Sequence, residues 1–243
     1  MDCEYSLNYI ITNDLTWRTI LNKPEVRKRM REKRNCLSQY EIITKSNKIF
    51  QKIEELDFFS SVRDILIYVN YKSEVHTREF IKRCIVLKKN VFVPKVYGKT
   101  MMQFIQIEHM EDLKKGTYGI LEPIHDAPIW NNNALTTDVS SKTLMILPAL
   151  ALDKQFNRVG YGGGYYDKYL SLHDGIVKIA VGFDFQLVNE LKFIEEKDEK
   201  VDIIVTEQRV LLQGGNDGFD KSDWTEGKRS FQTDGETSNC CQE

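Results

Sequence analysis

Cysteine and histidine are scarce in this chain of 243 residues, and neither residue occurs at a spacing typical of metal binding. The five cysteines include no Cys-x-x-Cys pair, and two of them, Cys240 and Cys241, are adjacent. The four histidines are scattered and form no His-Glu-x-x-His motif. These absences argue against a zinc site and against a disulfide-linked secreted domain, and they favour reduced thiols in the cytoplasm.

Long apolar runs and a strong charge of one sign are also missing. No run approaches the ~20 apolar residues that a membrane-spanning helix needs. Asp2 and Glu4 stand where a signal peptide would carry basic residues, so we expect neither a signal peptide nor a membrane partner. The net charge of −2 predicts no strong attraction of the whole molecule to nucleic acid.

Two common nucleotide-binding motifs are absent as well. Gly160, Gly162 and Gly164 give the pattern G-x-G-x-G, which differs from the G-x-G-x-x-G of dinucleotide-binding folds. The Gly-Lys-Thr at 98–100 is not a Walker A motif, because Val93 stands where its first glycine is required. A nucleotide site in this chain would therefore need another design.

A glycine-rich stretch between Arg158 and Asp167 is the most distinctive part of the sequence. A short apolar strand at 144–147 precedes it and a helix at 165–170 is predicted after it, an order that can direct a helix N-terminus at phosphate. Arg158 could pair with phosphate oxygens, and Asp167 offers an oxygen ligand suited to Mg²⁺. A tight loop without a ligand remains the alternative, because glycine clusters serve that purpose more often.

The order of apolar segments predicts an α/β fold, a three-layer single domain with a mostly parallel sheet flanked by helices. Helices are expected from Pro24 to about Cys36, from a cap at Ser38 to about Leu56, and at 77–87. Strands are expected at 64–70, at 91–94 with an end at Pro94, at 101–107, 143–147 and 177–182, and finally at 201–206. Loops are expected at 113–123 and 149–158.

Both ends of the chain are predicted to lie outside this domain. Residues 1–22 form an N-terminal extension, residues 23–212 form the α/β domain, and residues 213–243 form a polar tail that we expect to be disordered.

Four charged residues at three places in the chain could serve in binding, although an ordinary surface position is the more common explanation for each of them. Lys23 and Arg27 lie four residues apart on one face of a basic helix, so they could clamp one anion, although most such faces are simply solvated. Glu74 follows a buried strand, where ligands of parallel sheets gather, but a surface carboxylate is common there too. Asp198 lies in a charged turn and from spacing alone carries no role.

Together these pieces resemble the 5-formyltetrahydrofolate cyclo-ligase family over about residues 23–207. The strongest match is Asn157–Asp167, which has the family's order of an arginine, a glycine-rich run, two tyrosines and an aspartate. Four weaker matches follow the family's order along the chain, at 23–27, 71–77, 119–123 and 197–202. The extension and the tail have no counterpart in the family's pattern.

The resemblance implies an ATP- and Mg²⁺-dependent ligase that converts 5-formyltetrahydrofolate to 5,10-methenyltetrahydrofolate with release of ADP and phosphate. It implies a catalytic role for Arg158 and Asp167 and a Mg²⁺ site at Asp167 and Asp198. The ATP-binding residues that it implies are Lys23, Arg27, Arg158, Gly160, Gly162, Gly163, Gly164, Tyr165 and Tyr166. The folate-binding residues that it implies are Val69, Glu74, Tyr118, Tyr161, Gly163 and Tyr165.

Two other functions stay open at this point. A protein of the same fold could bind nucleotide or folate without catalysis, and the basic helix at 23–34 could contact RNA, although it lacks interleaved aromatic residues. Our first expectation is a cytoplasmic monomer that takes a small-molecule folate, with or without a polyglutamate chain, and that binds neither nucleic acid nor membrane.

Overall fold

The computed structural model describes residues 22–98, 101–116, 119–124, 127–131, 142–195 and 198–214. Nearly all of the expected extension and tail, and Tyr118, lie outside these residues. The helices are α1 (Lys23–Asn35), α2 (Gln39–Glu54), α3 (Arg78–Val86) and α4 (Tyr165–Leu170). The strands are β1 (Val62–Ile67), β2 (Asn90–Tyr97), β3 (Met101–Ile107), β4 (Leu113–Lys115), β5 (Leu121–Pro123), β6 (Lys142–Pro148), β7 (Ala151–Asp153), β8 (Arg158–Val159), β9 (Ile176–Val181), β10 (Leu187–Val188), β11 (Ile203–Val205) and β12 (Val210–Leu212).

A seven-stranded sheet in the order β12-β11-β9-β6-β1-β2-β3 forms the centre of the fold. The five inner strands pair in parallel, and the edge strands β3 and β12 pair antiparallel with their neighbours. The inner strands are apolar on both faces because helices cover both faces. The predicted α/β fold with a mostly parallel sheet is confirmed.

Successive residues of β1 divide between two cores, as the alternation of side chains along a strand requires. Ile65 and Ile67 pack in the core that also holds apolar side chains of α2 and α3. Leu66 packs in the opposite core, which holds Tyr169 and Leu170 of α4. The sheet therefore forms the middle one of three layers, with helices on either side.

The two predicted N-terminal helices have the expected caps. Asn22 caps α1 by accepting a hydrogen bond from the backbone N–H of Glu25, with proline in the first turn. Ser38 and Glu41 form the capping box of α2. Within the described ranges, no helix is long and apolar enough to cross a bilayer.

The structure corrects four predicted details of the strands. Strand β2 does not end at Pro94, because its pairing with β1 stops at Phe92 and proline is tolerated where a strand is paired on one side. The strand near 203 is not the last one, because β12 follows it as an antiparallel edge. The predicted loops at 113–123 and 149–158 contain the short strands β4, β5, β7 and β8.

A small second sheet connects the central sheet to the glycine-rich stretch. Strand β7 lies between β10 and β8, and its hairpin with β8 ends at Arg158 and Val159. Val26 and Met30 of α1 pack against Ala151 and Val159 of this hairpin. The basic helix is thereby fixed beside the glycine-rich stretch, although 133 residues separate Arg27 from Gly160.

Candidate active site

A pocket of about 860 Å³ brings three distant parts of the chain together. The start of α1, the glycine-rich stretch with α4, and the segment at 193–199 form its walls. All of the sequence-predicted ATP and metal residues line it: Lys23, Arg27, Arg158, Gly160, Gly162, Gly163, Gly164, Tyr165, Tyr166, Asp167 and Asp198. Its volume lies within the range typical of small-molecule sites.

Gly162 and Gly163 of the glycine loop are in places that disfavour a residue with a side chain, for two different reasons. Gly162 has a φ of 104°, a conformation that residues with a side chain rarely adopt. A Cβ atom at Gly163 would lie 2.6 Å from the ring of Tyr165, so any side chain there would displace this ring. The loop can therefore bring its backbone close to a ligand, which suits phosphate binding.

Arg27 ties α1 to this loop. Its Nε atom donates a hydrogen bond to the carbonyl oxygen of Gly160 at 2.9 Å. One edge of the guanidinium is used in this contact, and the group lies beside Gly162. The contact thus places a positive charge at the loop.

Arg158 is buried and sits beneath the pocket, with 6% of its surface exposed. Its Nη2 atom donates to Oδ1 of Asp167 at 2.9 Å, and Nη1 donates to the carbonyl oxygen of Pro148 at 3.3 Å. Its Nε atom is buried and has no hydrogen-bond partner among the described residues. A buried N–H without an acceptor is costly, so an anionic ligand at this place would be stabilised.

Lys23 lies between two carboxylates at the opposite wall. Its Nζ atom is 2.7 and 3.0 Å from the two carboxylate oxygens of Asp198 and 3.0 Å from Oε1 of Glu195. Burial lowers the pKa of Lys23, but the hydrogen bonds to Asp198 and Glu195 outweigh this effect, so its pKa is raised. Lys23 therefore stays charged at neutral pH.

The carboxylates of the pocket fit a Mg²⁺ ion that arrives with phosphate. Asp167 and Asp198 both line the pocket, whereas the described residues contain no group of three or more potential ligands that could hold a metal by themselves. Mg²⁺ is commonly bound by one or two carboxylates together with substrate phosphates and water. The donor set thus suits a magnesium–nucleotide complex better than a metal bound to protein alone.

Glu74 is buried beside this pocket and does not line it. Its Oε2 atom accepts a hydrogen bond from the backbone N–H of Tyr71 at 2.8 Å. Burial raises the pKa of Glu74, while a hydrogen bond from Tyr161, the Tyr71 N–H and the nearby Arg34 oppose this rise. The surroundings of Glu74 therefore favour the neutral, protonated form of its carboxyl group more than water does.

Tyr161 connects Glu74 with the pocket. The residue is 44% exposed and lines the pocket, while burial and the neighbouring Glu74 raise the pKa of its hydroxyl group. The guanidinium of Arg34 lies 5.6 Å from the centre of its ring. Val69, which the sequence predicts beside the folate, is buried in the core under this region and does not line the pocket. Tyr118 lies outside the described residues.

The raised pKa of Glu74 predicts a pH-dependent effect of Glu74→Gln on stability. Because the folded protein binds the proton more tightly, wild-type stability falls as pH rises from the ordinary value of 4.5 through the raised pKa, by at most about 1.4 kcal/mol per pH unit. The free energy of unfolding of the variant, relative to wild type, should therefore increase over this interval. Denaturant unfolding at several pH values measures it. A difference between Glu74→Gln and wild type that stays constant with pH would contradict the assignment.

A second pocket of about 410 Å³ lies beside the loop that follows β1. Lys72, His76 and Arg78 line it, together with amide side chains that include Asn47 and Asn70. No ion pair of Lys72 or Arg78 is found among the described residues; the ammonium of Lys72 lies over the ring of Tyr71, at 5.0 Å. Glu79 also lines the pocket, but its carboxylate pairs with Lys82, so Lys72 and Arg78 give this pocket an excess of positive charge.

Several supporting residues were not predicted from the sequence. Asp153 is fully buried and accepts four hydrogen bonds at the start of the hairpin that leads to Arg158. Glu195 binds Lys23, and Arg34 is buried and donates to the hydroxyl of Ser73 at 3.2 Å. For Asp153 the sequence does contain a local signal. An aspartate side chain often accepts hydrogen bonds from backbone N–H groups a few residues later and so closes a turn, as Asp153 does with Gln155 and Asn157.

Comparisons with known proteins point to one family. A model of the 5-formyltetrahydrofolate cyclo-ligase family matches residues 19–207. A Schizosaccharomyces pombe protein named probable 5-formyltetrahydrofolate cyclo-ligase is 28% identical over 204 residues, which cover 79% of this chain and 98% of the relative. The mitochondrial 5-formyltetrahydrofolate cyclo-ligase of Arabidopsis thaliana is 32% identical over 182 residues, 70% of this chain and 64% of the relative.

A solved structure shares the fold. The NMR structure of 5,10-methenyltetrahydrofolate synthetase from Aquifex aeolicus superposes with a TM-score of 0.70 and 27% identity, covering 82% of this chain and 96% of that one. The family match includes α1, the glycine loop and Asp198, which together form the large pocket. The chain belongs to the 5-formyltetrahydrofolate cyclo-ligase family.

Proposed function

We propose that this protein converts 5-formyltetrahydrofolate to 5,10-methenyltetrahydrofolate, using ATP and releasing ADP and phosphate. One observation carries the proposal: Lys23, Arg27 and Arg158 surround the same pocket as the carboxylates Asp167 and Asp198. This arrangement supplies positive charge for a triphosphate and oxygen ligands for its metal ion. Membership of the cyclo-ligase family gives the substrate and the reaction.

The reaction needs phosphoryl transfer followed by ring closure. The formyl oxygen attacks the γ-phosphorus of ATP and ADP leaves, which gives an iminium phosphate at N5 of the folate. N10 then attacks the formyl carbon, its proton is lost, and the carbon–oxygen bond breaks as phosphate departs with the bonding electrons. Such a reaction depends on positioning and charge stabilisation more than on a protein nucleophile.

The nucleotide would be held from two sides. Lys23 and Arg27 on α1 would bind phosphate oxygens opposite the backbone N–H groups of the loop Gly160–Gly164, with Tyr165 and Tyr166 at the beginning of α4. Arg158 would neutralise charge that develops on the transferred phosphoryl group, since its buried Nε–H lacks an acceptor. Asp167 and Asp198 would bind Mg²⁺, which when bound neutralises phosphate charge and aligns the leaving group.

The folate would lie on the side of the pocket where Tyr161 meets Glu74. A carboxyl group with a raised pKa can form paired hydrogen bonds with the amino-pyrimidine part of a pterin, either as acceptor or as donor. Tyr161 lines the pocket beside Gly163 and Tyr165, which would contact the folate near the formyl group. Val69 would support the folate side of the pocket indirectly, because it belongs to the hydrophobic core that packs under this side.

A direct assay tests the proposed function. Purified protein is mixed with 5-formyltetrahydrofolate, Mg²⁺ and ATP, and the absorption band of the methenyl product is followed together with ADP. We expect the band to grow when ATP is present and to be absent without it, with one ADP formed for each methenyl product. Binding of both ligands without product would overturn the catalytic proposal and favour a binding protein on the same fold.

The second pocket suits a folate that carries a polyglutamate chain. Each γ-linked glutamate adds a carboxylate, and Lys72 and Arg78 offer unpaired positive charge next to Tyr71, whose N–H binds Glu74. We therefore expect the triglutamate form of 5-formyltetrahydrofolate to bind more tightly than the monoglutamate. Calorimetry of both forms at low salt measures the difference, and equal affinities would remove this pocket from the substrate site.

The remaining proposals concern the cellular location of the protein, its oligomeric state and its partners. Reduced Cys36 and Cys84 fit a cytoplasmic enzyme, although the A. thaliana relative is named mitochondrial, so cell fractionation is the test. We propose a monomer, which sedimentation would measure directly. We also propose that RNA is not a partner, because Lys23, Arg27 and Arg34 of the basic helix contact the protein's own polar groups; a filter-binding assay checks this point.

A further inference from the structure

The large pocket has equal numbers of basic and acidic side chains, and two pairs of them are bonded to each other. Among its described lining residues, four are basic (Lys23, Arg27, Arg158 and Lys168) and four are acidic (Asp167, Glu195, Asp198 and Glu199). Two of the basic groups are bound to the two expected metal ligands, as Lys23 bonds Asp198 at 2.7 Å and Arg158 bonds Asp167 at 2.9 Å. The groups expected to bind phosphate therefore occupy the groups expected to bind metal.

This pairing has different consequences for the two ligands taken separately. A Mg²⁺ ion alone would have to displace Lys23 and Arg158 from their carboxylates and would leave two uncompensated cations. Metal-free ATP would attract those cations but would leave Asp167 and Asp198 facing a triphosphate of the same sign. The magnesium–ATP complex satisfies both sets together, because each cation gains phosphate oxygens while each carboxylate gains the metal.

Glu195 reinforces one of these pairs in two ways. Its side chain lies 3.0 Å from the ammonium nitrogen of Lys23, and its backbone N–H donates to Oδ2 of Asp198 at 2.7 Å. Glu199 also lines the pocket, but its carboxylate pairs with Lys178 instead. The two glutamates thus bring the same charge to the pocket, and Glu195 is the one that contacts the Lys23–Asp198 pair.

We infer that Glu195 is a positioning residue that holds Lys23 and Asp198 as a closed pair, so that the site takes ATP and Mg²⁺ as one complex and disfavours either alone. This inference rests on the proposed function, since it assumes that the pocket binds a nucleotide. It assigns a role to Glu195 and predicts that the nucleotide binds as its magnesium complex. The coupling between metal and nucleotide is then a property of the ion pairs in the free protein.

Calorimetry without folate tests the inference, with ATP in EDTA, ATP in Mg²⁺, and Mg²⁺ alone as the three titrants. Wild-type protein should bind the magnesium complex at least about tenfold more tightly than metal-free ATP, within the usual range of coupling between ligands. Glu195→Gln keeps the backbone bond to Asp198 and removes one carboxylate from Lys23. We expect it to bind metal-free ATP more tightly and to reduce the ratio of the two affinities at least about threefold.

Glu199→Gln is the matched control, because it removes the same charge from the same pocket without freeing Lys23. A clearly smaller change of the affinity ratio in this variant supports the positioning role. Equal changes in both variants, or equal affinities of wild type for the two forms of ATP, overturn it. Absence of any nucleotide binding by the wild type would instead count against the proposed function, so the two failures are distinguishable.

Discussion

Replacing Asp167 by asparagine is expected to lower kcat for methenyl formation by about 10³-fold, with the fold retained. Asparagine keeps the size of the side chain and can still accept the hydrogen bond from Arg158. It loses the negative charge that would neutralise the proposed Mg²⁺ and that balances the buried guanidinium. The spectrophotometric assay at saturating ATP measures the loss, and thermal unfolding shows whether the structure survives.

A neighbouring aspartate provides the control for this variant. Asp174 is exposed, follows α4 and does not line the pocket, so Asp174→Asn should leave kcat within about twofold of wild type. Raising the Mg²⁺ concentration should recover part of the activity of Asp167→Asn if the residue binds the metal. Near wild-type turnover in Asp167→Asn would remove Asp167 from the proposed reaction.

Replacing Asp153 by alanine is expected to reduce the free energy of unfolding by about 3–5 kcal/mol, the largest stability effect we expect at a polar position. This carboxylate is fully buried and accepts hydrogen bonds from the backbone N–H groups of Gln155, Asn157 and Leu191 and from the side chain of Asn157. Alanine would leave the donors of Asn157 and Leu191 buried without an acceptor. Urea unfolding followed by circular dichroism measures the change.

A conservative variant separates lost hydrogen bonds from lost packing at this position. Asp153→Asn keeps the shape and one acceptor oxygen, which serves Gln155 and Asn157, but turns its amino group toward the donors of Leu191 and Asn157. An intermediate loss is therefore expected. A change below about 1 kcal/mol in Asp153→Ala would show that the hairpin does not depend on this carboxylate.

The fold could be predicted where an apolar pattern extends over several residues. Strands such as β6 and β9, and helices such as α2 with its Ser38 cap, have a period and a boundary that can be read locally. Strands β8 and β10 have two residues each, and no period can be recognised in so short a segment. Their pairing with β7 depends on the burial of Asp153 and its donors, which is a tertiary effect.

The candidate site could be predicted where its residues lie close together in the sequence. Arg158, the glycines and Asp167 lie within ten positions, so their order could be compared with a family pattern. The contact between Lys23 and Glu195 joins residues 172 positions apart, and that between Asp153 and Leu191 joins residues 38 apart. Spacing along the chain carries no information on such contacts, because the packing of α1 on the hairpin creates them.

The hydrogen bond from Arg27 to Gly160 bears on how the protein matures during synthesis. Helix α1 leaves the ribosome early, whereas Asp198 follows Lys23 by 175 residues, so Lys23 waits for most of the chain before this partner exists. Four of the five inner strands, β1, β2, β6 and β9, precede Asp198 and can pair before that time, but the walls of the large pocket are not yet complete. The large pocket is therefore completed late in synthesis, when the first helix can contact Glu195 and Asp198.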